Sequence, residues 1–301
     1  MIRELDKMSV SERQDILQHV IAPRPIALVS TIDKNNNPNL APFSFFNLFS
    51  TDPPIVIFSP CRRVRDGSTK HSYENICEVP EAVIHIVDQD ILHQANLASA
   101  DFDRGVDEFT KAGFTPEKAT RVRPPIVRES PAKLECRIIE IKPLGTRGGA
   151  GNLIIAEILV VHISEKILNA SGKIDQQKIR HVARLGGDWY CQISQENLFT
   201  LPKPAFPHAI GFDGLPEAIR KSPVLTGSEL AKLAGVPEIP KAEALAESES
   251  YLFQLMDKRS LSFAQEVHRH ASSLIAEEKI AEAWQILLLI HPNNRNEQKY
   301  F

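Results

Sequence analysis

Cysteine is scarce in this chain of 301 residues, and Cys61, Cys77, Cys136 and Cys191 stand too far apart to make a C-x-x-C pair. Thiols so dispersed suggest neither a zinc knuckle nor a redox couple, and they read as free thiols of a reducing compartment. Long apolar runs are missing as well. No stretch reaches the roughly 20 residues that a membrane helix needs, so no membrane association is expected. The opening segment MIRELDKMSVSERQD has no apolar run of the secretory kind, and cytoplasm is the expected compartment. An excess of one charge is absent too: at a formal net charge of −3, no global basic field argues for nucleic acid. The chain has no G-x-S-x-G elbow, no His/carboxylate set at metal-ligand spacing and no internal repeat. His85 and His162 fall within expected strands, where a hydrogen-bonded core histidine is the better reading than a metal ligand. His268 and His270 lie two apart on an expected helix and so face different ways.

What is present is a dense series of strand signals. Ser9 can cap a short helix with Glu12 three residues on, and Pro23 and Pro25 end it. Ile26 to Ile32 reads as a strand, Asp33 to Pro38 as a turn, Leu40 to Leu48 as a second strand and Ile55 to Ser59 as a third. Connections this short predict an antiparallel meander. His71 to Val79 is an expected helix, Ala82 to Val87 a strand, and residues 90–120 helical and irregular. Two long strands follow, the second from Leu153 to Ser164, with Gly145 to Gly151 as their hairpin. In the first, Leu134, Cys136 and Ile138 face one way and Glu135 and Arg137 the other. Asp175 to Ala183 is an expected helix and Leu185 to Asp188 a sharp bend. Pro202, Pro204 and Pro207 mark a change of character. Beyond it the chain turns helical, with Glu-, Ala- and Ser-rich segments, a packed arm over Gly211 to Pro223 and an apolar stretch from Ala281 to Ile290. The expected fold class is α+β, a mainly β barrel over residues 1–204 with a helical C-terminal extension, residues 205–301.

Two stretches can carry chemistry. In SPCRRVRDGSTKHS, residues 59–72, Arg62, Arg63, Arg65 and Lys70 lie among the hydroxyls of Ser59, Ser68, Thr69 and Ser72. Cations with hydroxyl and backbone N–H donors are what a phosphate requires, and the helix from His71 adds free N–H groups; a merely solvated basic loop is the alternative. In Ala41 to Asn47, three phenylalanines with Ser44 and Asn47 can wall a flat ring or simply make a core strand. Phe43, Phe45 and Phe46 cannot all face one side of a strand, so at least one points to a ligand or another subunit. The run Gly145 to Gly151 lacks G-x-G-x-x-G spacing and leads into a strand, which makes it a turn.

Taken in order, Pro23 to Thr31, Asn39 to Asn47, Asp52-Pro53-Pro54, Ser59-Pro60, Lys70 to Ile76, Gly151-Asn152, Gly172 to Asp175 and Arg184 to Tyr190 resemble the flavin reductase family with its FMN-binding split β-barrel. The likeness covers roughly residues 10–200. It implies that Ser44, Phe45, Phe46 and Asn47 contact the isoalloxazine ring and that Ser59, Arg62, Arg65, Lys70 and Ser72 grip the phosphate. Arg24 and Thr31 would lie near the flavin on the neighbouring strand. It also implies a homodimer with the flavin near the subunit interface, approached by Arg184 to Tyr190. The chain departs from the family pattern in two places: Lys70-His71-Ser72 stands where many members have Lys-Asp-Thr, and His85 where many have Asn. Pyridoxamine phosphate oxidase barrels also bind FMN, but Ser44 to Asn47 and Arg184 to Tyr190 fit the reductase branch better.

The activity so implied is hydride transfer from NAD(P)H to FMN and onward to a small-molecule or protein acceptor. The cofactor carries the chemistry, so no catalytic acid or base is demanded. A non-enzymatic FMN electron carrier of the flavoredoxin kind, or an interaction protein that has lost its flavin, are the alternatives.

Overall fold

The computed structural model describes residues 1–204, 208–241 and 262–290. Within it the chain divides into two compact units, Met1–Phe199 and Thr200–Phe301. Pro207 and the Glu-, Ala- and Ser-rich run at 242–250 lie outside the described residues. Among the described residues no helix is long and apolar enough to cross a membrane.

In the first unit, helix α1 (Val10–Val20) starts at the expected capping box: Ser9 Oγ accepts from the Glu12 N–H, and the Glu12 carboxylate accepts from the Ser9 N–H. Strands β2 (Ala27–Ile32), β3 (Pro38–Phe43), β4 (Phe46–Thr51), β5 (Pro54–Phe58), β6 (Glu81–Ile86), β9 (Ala132–Pro143) and β10 (Asn152–Ile163) form one sheet in the order β3-β2-β6-β9-β10-β5-β4. Every neighbouring pair is antiparallel. β2 is buried along its whole length because both its faces are covered. Ala27 and Val29 enter the cluster that holds Phe58, Cys136 and Ile154, while Leu28 packs under Ala95 and Phe109 of α3 (Leu92–Leu97) and α4 (Glu108–Ala112).

The meander expectation fails at one point. β3 and β4 are consecutive in the chain yet stand at the two ends of the sheet order, and no strand spans Leu40 to Leu48. Ser44 and Phe45 leave the ladder as a bend and carry the chain from one end of the sheet to the other. Phe43, at the β3 end, nonetheless packs on Phe58 of β5 with ring centroids 5.7 Å apart. The sheet therefore curls until its ends meet around an apolar interior, as a barrel does.

The hairpin of β9 and β10 and the helix α2 (His71–Glu78) fall where the sequence places them. The helix expected over Asp175 to Ala183 does not form. Asp175 Oδ1 instead accepts the Gln177 N–H to close a turn, Arg180 takes a φ of 48°, and the β-branched Val182 opens strand β11 (Val182–Arg184). β11 lies between β1 (Arg24–Pro25) and β12 (Tyr190–Gln192) in a second, three-stranded sheet. The two-residue strands β7 (Pro116–Glu117) and β8 (Ile126–Val127) pair with each other.

The described part of the second unit is helical: α5 (Glu217–Arg220), α6 (Gly227–Ala234), α7 (Ser262–Ala276) and α8 (Ile280–Ile290). α5 lies in the stretch read as a packed arm, with Leu215 and Ile219 buried. The unit has its own core, in which fully buried Trp284 sits with Ile219, Leu233 and Leu287 and its indole N–H donates to the Leu233 carbonyl.

Candidate functional site

Strand β5 ends at Phe58, and the basic loop begins at once with Ser59. The loop is folded on the β9–β10 hairpin by backbone bonds: the Arg62 N–H donates to Ala150 O, and the Gly149 N–H donates to Arg62 O. A Cβ at Gly148 would lie 2.6 Å from Val64 O, so only glycine permits that approach. The glycine-rich run is thus the expected hairpin turn, and it also serves as the bed of the basic loop.

At this corner, polar atoms are buried without partners. Ser59 Oγ, Arg62 Nε and Asn152 Oδ1 have no hydrogen bond, although Arg62 Nη1 donates to Gly67 O and Asn152 Nδ2 to Pro60 O. Such groups cost free energy unless something fills them. Gly151 keeps space in front of Ser59, since a Cβ there would stand 2.7 Å from Ser59 Oγ. The loop closes at Lys70, the N-cap residue of α2, whose side chain caps nothing. Lys70 Nζ makes no hydrogen bond or ion pair among the described residues; burial, then the charge of Arg63, push it below the ordinary lysine range. Ser72, in the first turn of α2, is buried and accepts from Asn39 Nδ2 at 3.3 Å.

Arg65 is engaged elsewhere. Its guanidinium reaches Asp101 at 2.6 Å and Asp66 at 3.1 Å, and Arg63 also pairs with Asp101, at 2.7 Å. The hydrogen bonds from Ser68, with help from Arg65, hold Asp66 down at about 2. Asp101 is thus the counter-charge for two of the loop's cations, leaving Arg62 and Lys70 without a carboxylate partner.

The aromatic stretch divides as its spacing requires. Phe43 and Phe46 pack into the barrel interior, while Phe45, at the bend, is 41% exposed. Ser44 is half-buried beside it, and exposed Asn47 accepts the Leu48 N–H through Oδ1. Arg24 is buried with its guanidinium carbon 6.0 Å from the Phe45 ring centroid. Its Nη atoms donate to the carbonyls of Gln18, Ile21 and Leu185, which ties the end of α1 to the Leu185–Asp188 bend. That bend is the expected one: the Leu185 N–H donates to Trp189 O and Gly187 has a φ of 55°. Thr31 is fully buried and accepts from Asn75 Nδ2 of α2 at 3.2 Å.

The structure therefore joins Arg24, Phe45 and the Arg184–Tyr190 segment in one cluster, and Ser59 and Arg62 in another. Thr31 and Ser72 are inside, bracing α2. A small cleft beside the first turn of α2, lined among others by Asn39, His71, Arg104 and Glu108, holds none of the expected cofactor contacts. Asn152, Gly151 and Asp101 are the site residues that reading the basic loop alone does not find. Glycine followed by asparagine at the foot of a long strand was the available signal for the first two.

His85 is the hydrogen-bonded core histidine expected, whereas His162 is hydrogen-bonded but its side chain is 32% exposed, outside the core. His85 lies between Leu28 O and the Val127 N–H, at 2.8 and 2.9 Å, and His162 bonds buried Glu135 at 2.6 Å. Among the described residues no cluster of His, Cys, Asp or Glu fits a metal ion.

The sequence pattern of the flavin reductase like domain matches residues 20–177. A Bacillus subtilis relative, itself uncharacterized, is 30% identical over 207 residues, 68% of this chain and 99% of its own. Among solved structures, component B of nitrilotriacetate monooxygenase from Bacillus cereus superposes with a TM-score of 0.62 at 27% identity, covering 67% of this chain and 98% of that one. Flavoredoxin of Desulfovibrio vulgaris shares the fold, with a TM-score of 0.52 at 22% identity over 69% of this chain and 98% of its own.

Proposed function

From the premise that this chain belongs to the flavin reductase like family, a family of flavin-linked oxidoreductases, we propose that it binds FMN and takes hydride from NAD(P)H to pass electrons to an acceptor. The observation that carries the reading is the set of buried, partnerless polar atoms at Ser59 and Arg62, on the loop that closes at Lys70, whose ammonium makes no hydrogen bond or ion pair among the described residues. A phosphate supplies the acceptors that Arg62 Nε and Lys70 Nζ lack, and the Ser59 hydroxyl donates to it. Gly151 leaves the room.

The role of the chain is to hold and orient. Lys70 and Arg62 fix the phosphate end as cations, with the first turn of α2 behind them. Phe45, turned out of the core, offers an apolar face to a flat ring, and Ser44 and Asn47 offer polar edges. When bound, FMN supplies the two-electron chemistry, which the protein itself need not provide. Phe45 and Trp189 are exposed in the single chain, where a ring or a second subunit can reach them. A homodimer is the assembly proposed, with Leu48 and Phe49 of edge strand β4, 55% and 63% exposed, in its interface. Cytoplasm is its proposed location.

The test is an absorbance spectrum of the purified chain after adding FMN and removing the excess, then after NADH or NADPH without oxygen. A flavin band that bleaches supports the reductase. A band that stays oxidised with both donors replaces it with an electron carrier, and no band at all overturns flavin binding.

A further inference from the structure

Arg24 of β1 and Arg184 of β11 are direct cross-strand partners in an antiparallel pair, a placement in which like charges repel. Arg24 is only 7% exposed, yet all its partners are neutral carbonyls, each at 2.7 Å. Its Nε–H is buried and has no acceptor. Burial, then the charge of Arg184, push its guanidinium below the ordinary range. Arg184 leans on the face of Tyr190 at 4.6 Å and donates to Gly187 O and the Tyr190 hydroxyl. Its nearest carboxylate, Asp188, lies 3.8 Å away and is fully exposed, where it neutralises little.

Two guanidinium groups thus stand side by side without a buried counter-charge. Such an arrangement is unfavourable unless an anion completes it. Phe45 beside Arg24 puts the pair at the ring wall, and neither arginine shares a hydrogen bond with Ser59, Arg62 or Lys70.

We infer that Arg24 and Arg184 form an anion subsite whose occupant is the negative charge a flavin ring acquires on reduction, so that they favour the reduced cofactor over the oxidised one. This rests on the flavin reading above. In hydride transfer the C–H bond of a dihydronicotinamide breaks and an N–H bond forms on the ring. The donor is oxidised by two electrons, and the ring gains both electrons with one proton, hence one negative charge. A fixed positive charge beside the ring compensates it without a second proton.

The experiment is anaerobic calorimetric titration of the full chain and of Arg184→Met and Arg24→Gln with FMN and with dithionite-reduced FMN. In Arg184→Met, oxidised FMN is expected to change affinity by less than about threefold and reduced FMN to weaken by about tenfold or more. A tenfold difference lowers the midpoint potential of the bound flavin by about 30 mV. Arg24→Gln is expected to move the same way. Because it also cuts the tie between α1 and the bend, its failure to fold leaves the decision to Arg184→Met. Equal loss for both redox forms overturns the subsite and leaves flavin binding standing. A native chain that binds neither form overturns both.

Discussion

The backbone N–H of Ser59 donates to the carbonyl of Phe45 at 2.8 Å. That bond ties the first residue beyond β5 to the bend that carries the chain from β3 to β4. The aromatic wall and the polar loop are therefore set by one piece of backbone. The side chains of these two residues remain unmatched, Phe45 exposed and Ser59 buried without a hydrogen bond. A ligand with an apolar plate at one end and an anion at the other satisfies both.

Gly151→Ala tests the room in front of Ser59. The new methyl would meet Ser59 Oγ at 2.7 Å, an overpacking expected to cost about 1–3 kcal/mol in urea unfolding. Ser59→Ala removes a buried hydroxyl that nothing satisfies, so it is expected to leave the stability of the FMN-free chain within about 0.5 kcal/mol of native. The double variant should regain the stability lost in Gly151→Ala but not the FMN affinity. Recovery of both would detach Ser59 from the cofactor.

The cations of the loop separate by their present partners. Lys70→Ala and Arg62→Ala are expected to weaken FMN by about ten- to a hundredfold, each removing a charge-assisted bond of about 1.5–3 kcal/mol. Arg65→Ala, whose side chain belongs to Asp66 and Asp101, is expected to change affinity by less than about threefold. Fluorescence titration of FMN measures all three. An Arg65→Ala as damaging as Lys70→Ala would mean that the Asp101 pairs open when the phosphate arrives.

Much of this was legible in the chain itself, for identifiable reasons. The apolar run from Ile26 to Ile32, ended by the Asp33–Pro38 turn, announced β2, the alternation of Leu134, Cys136 and Ile138 with Glu135 and Arg137 announced β9, and the Ser9–Glu12 spacing announced α1, because these signals are local. The three phenylalanines correctly required one to leave the core, though not that Phe45 would do so at a break in the strand. That break depends on which strands pair across the barrel, information carried by no neighbouring residues. The same limit hid the short β11: Asp175 to Ala183 has helical composition, and only pairing of Val182 and Ala183 with Pro25, Cys191 and Gln192 makes its end extended. The basic loop was visible from composition, but its division into free and paired cations depends on Asp101, more than thirty residues away.

Glu135 offers a prediction about stability. It was expected to face away from the inner row of β9, and it does, yet it is fully buried there. Its oxygens accept the N–H groups of Thr120, Arg121 and Val122 and meet His162 at 2.6 Å. Burial works to raise its pKa, but the Thr120, His162 and Arg121 bonds outweigh it and hold the carboxyl below its ordinary 4.5. A depressed carboxyl contributes stability above its unfolded pKa and loses it as pH falls through the folded one. Glu135→Ala leaves those donors unanswered and is expected to cost about 3–5 kcal/mol at pH 7. The difference from native should shrink below pH 4.5 in urea unfolding; a constant difference would remove the charge from the account.

His85 makes the sharper test, because its titration range is well separated from the carboxylates above pH 5. It is fully buried, and its neighbours fix the tautomer: Nδ1 carries the proton that goes to Leu28 O, and Nε2 accepts the Val127 N–H. A second proton on Nε2 would confront that N–H. Burial accordingly lowers the ring from its ordinary 6.5 to about 3. The unfolded chain therefore binds a proton below pH 6.5 that the folded chain refuses, and stability must fall with pH between those values by up to about 1.4 kcal/mol per unit. From pH 7 to pH 5 the native chain should lose about 2 kcal/mol by this route, while His85→Asn, which has no such proton, should not. Native is expected to be the more stable at pH 7, since asparagine cannot bridge both backbone groups as the ring does. Urea unfolding of the two chains at pH 7, 6 and 5 cancels the ionisations they share. Parallel stability curves across that range would show that the ring is protonated in the fold, and that the Val127 N–H points elsewhere.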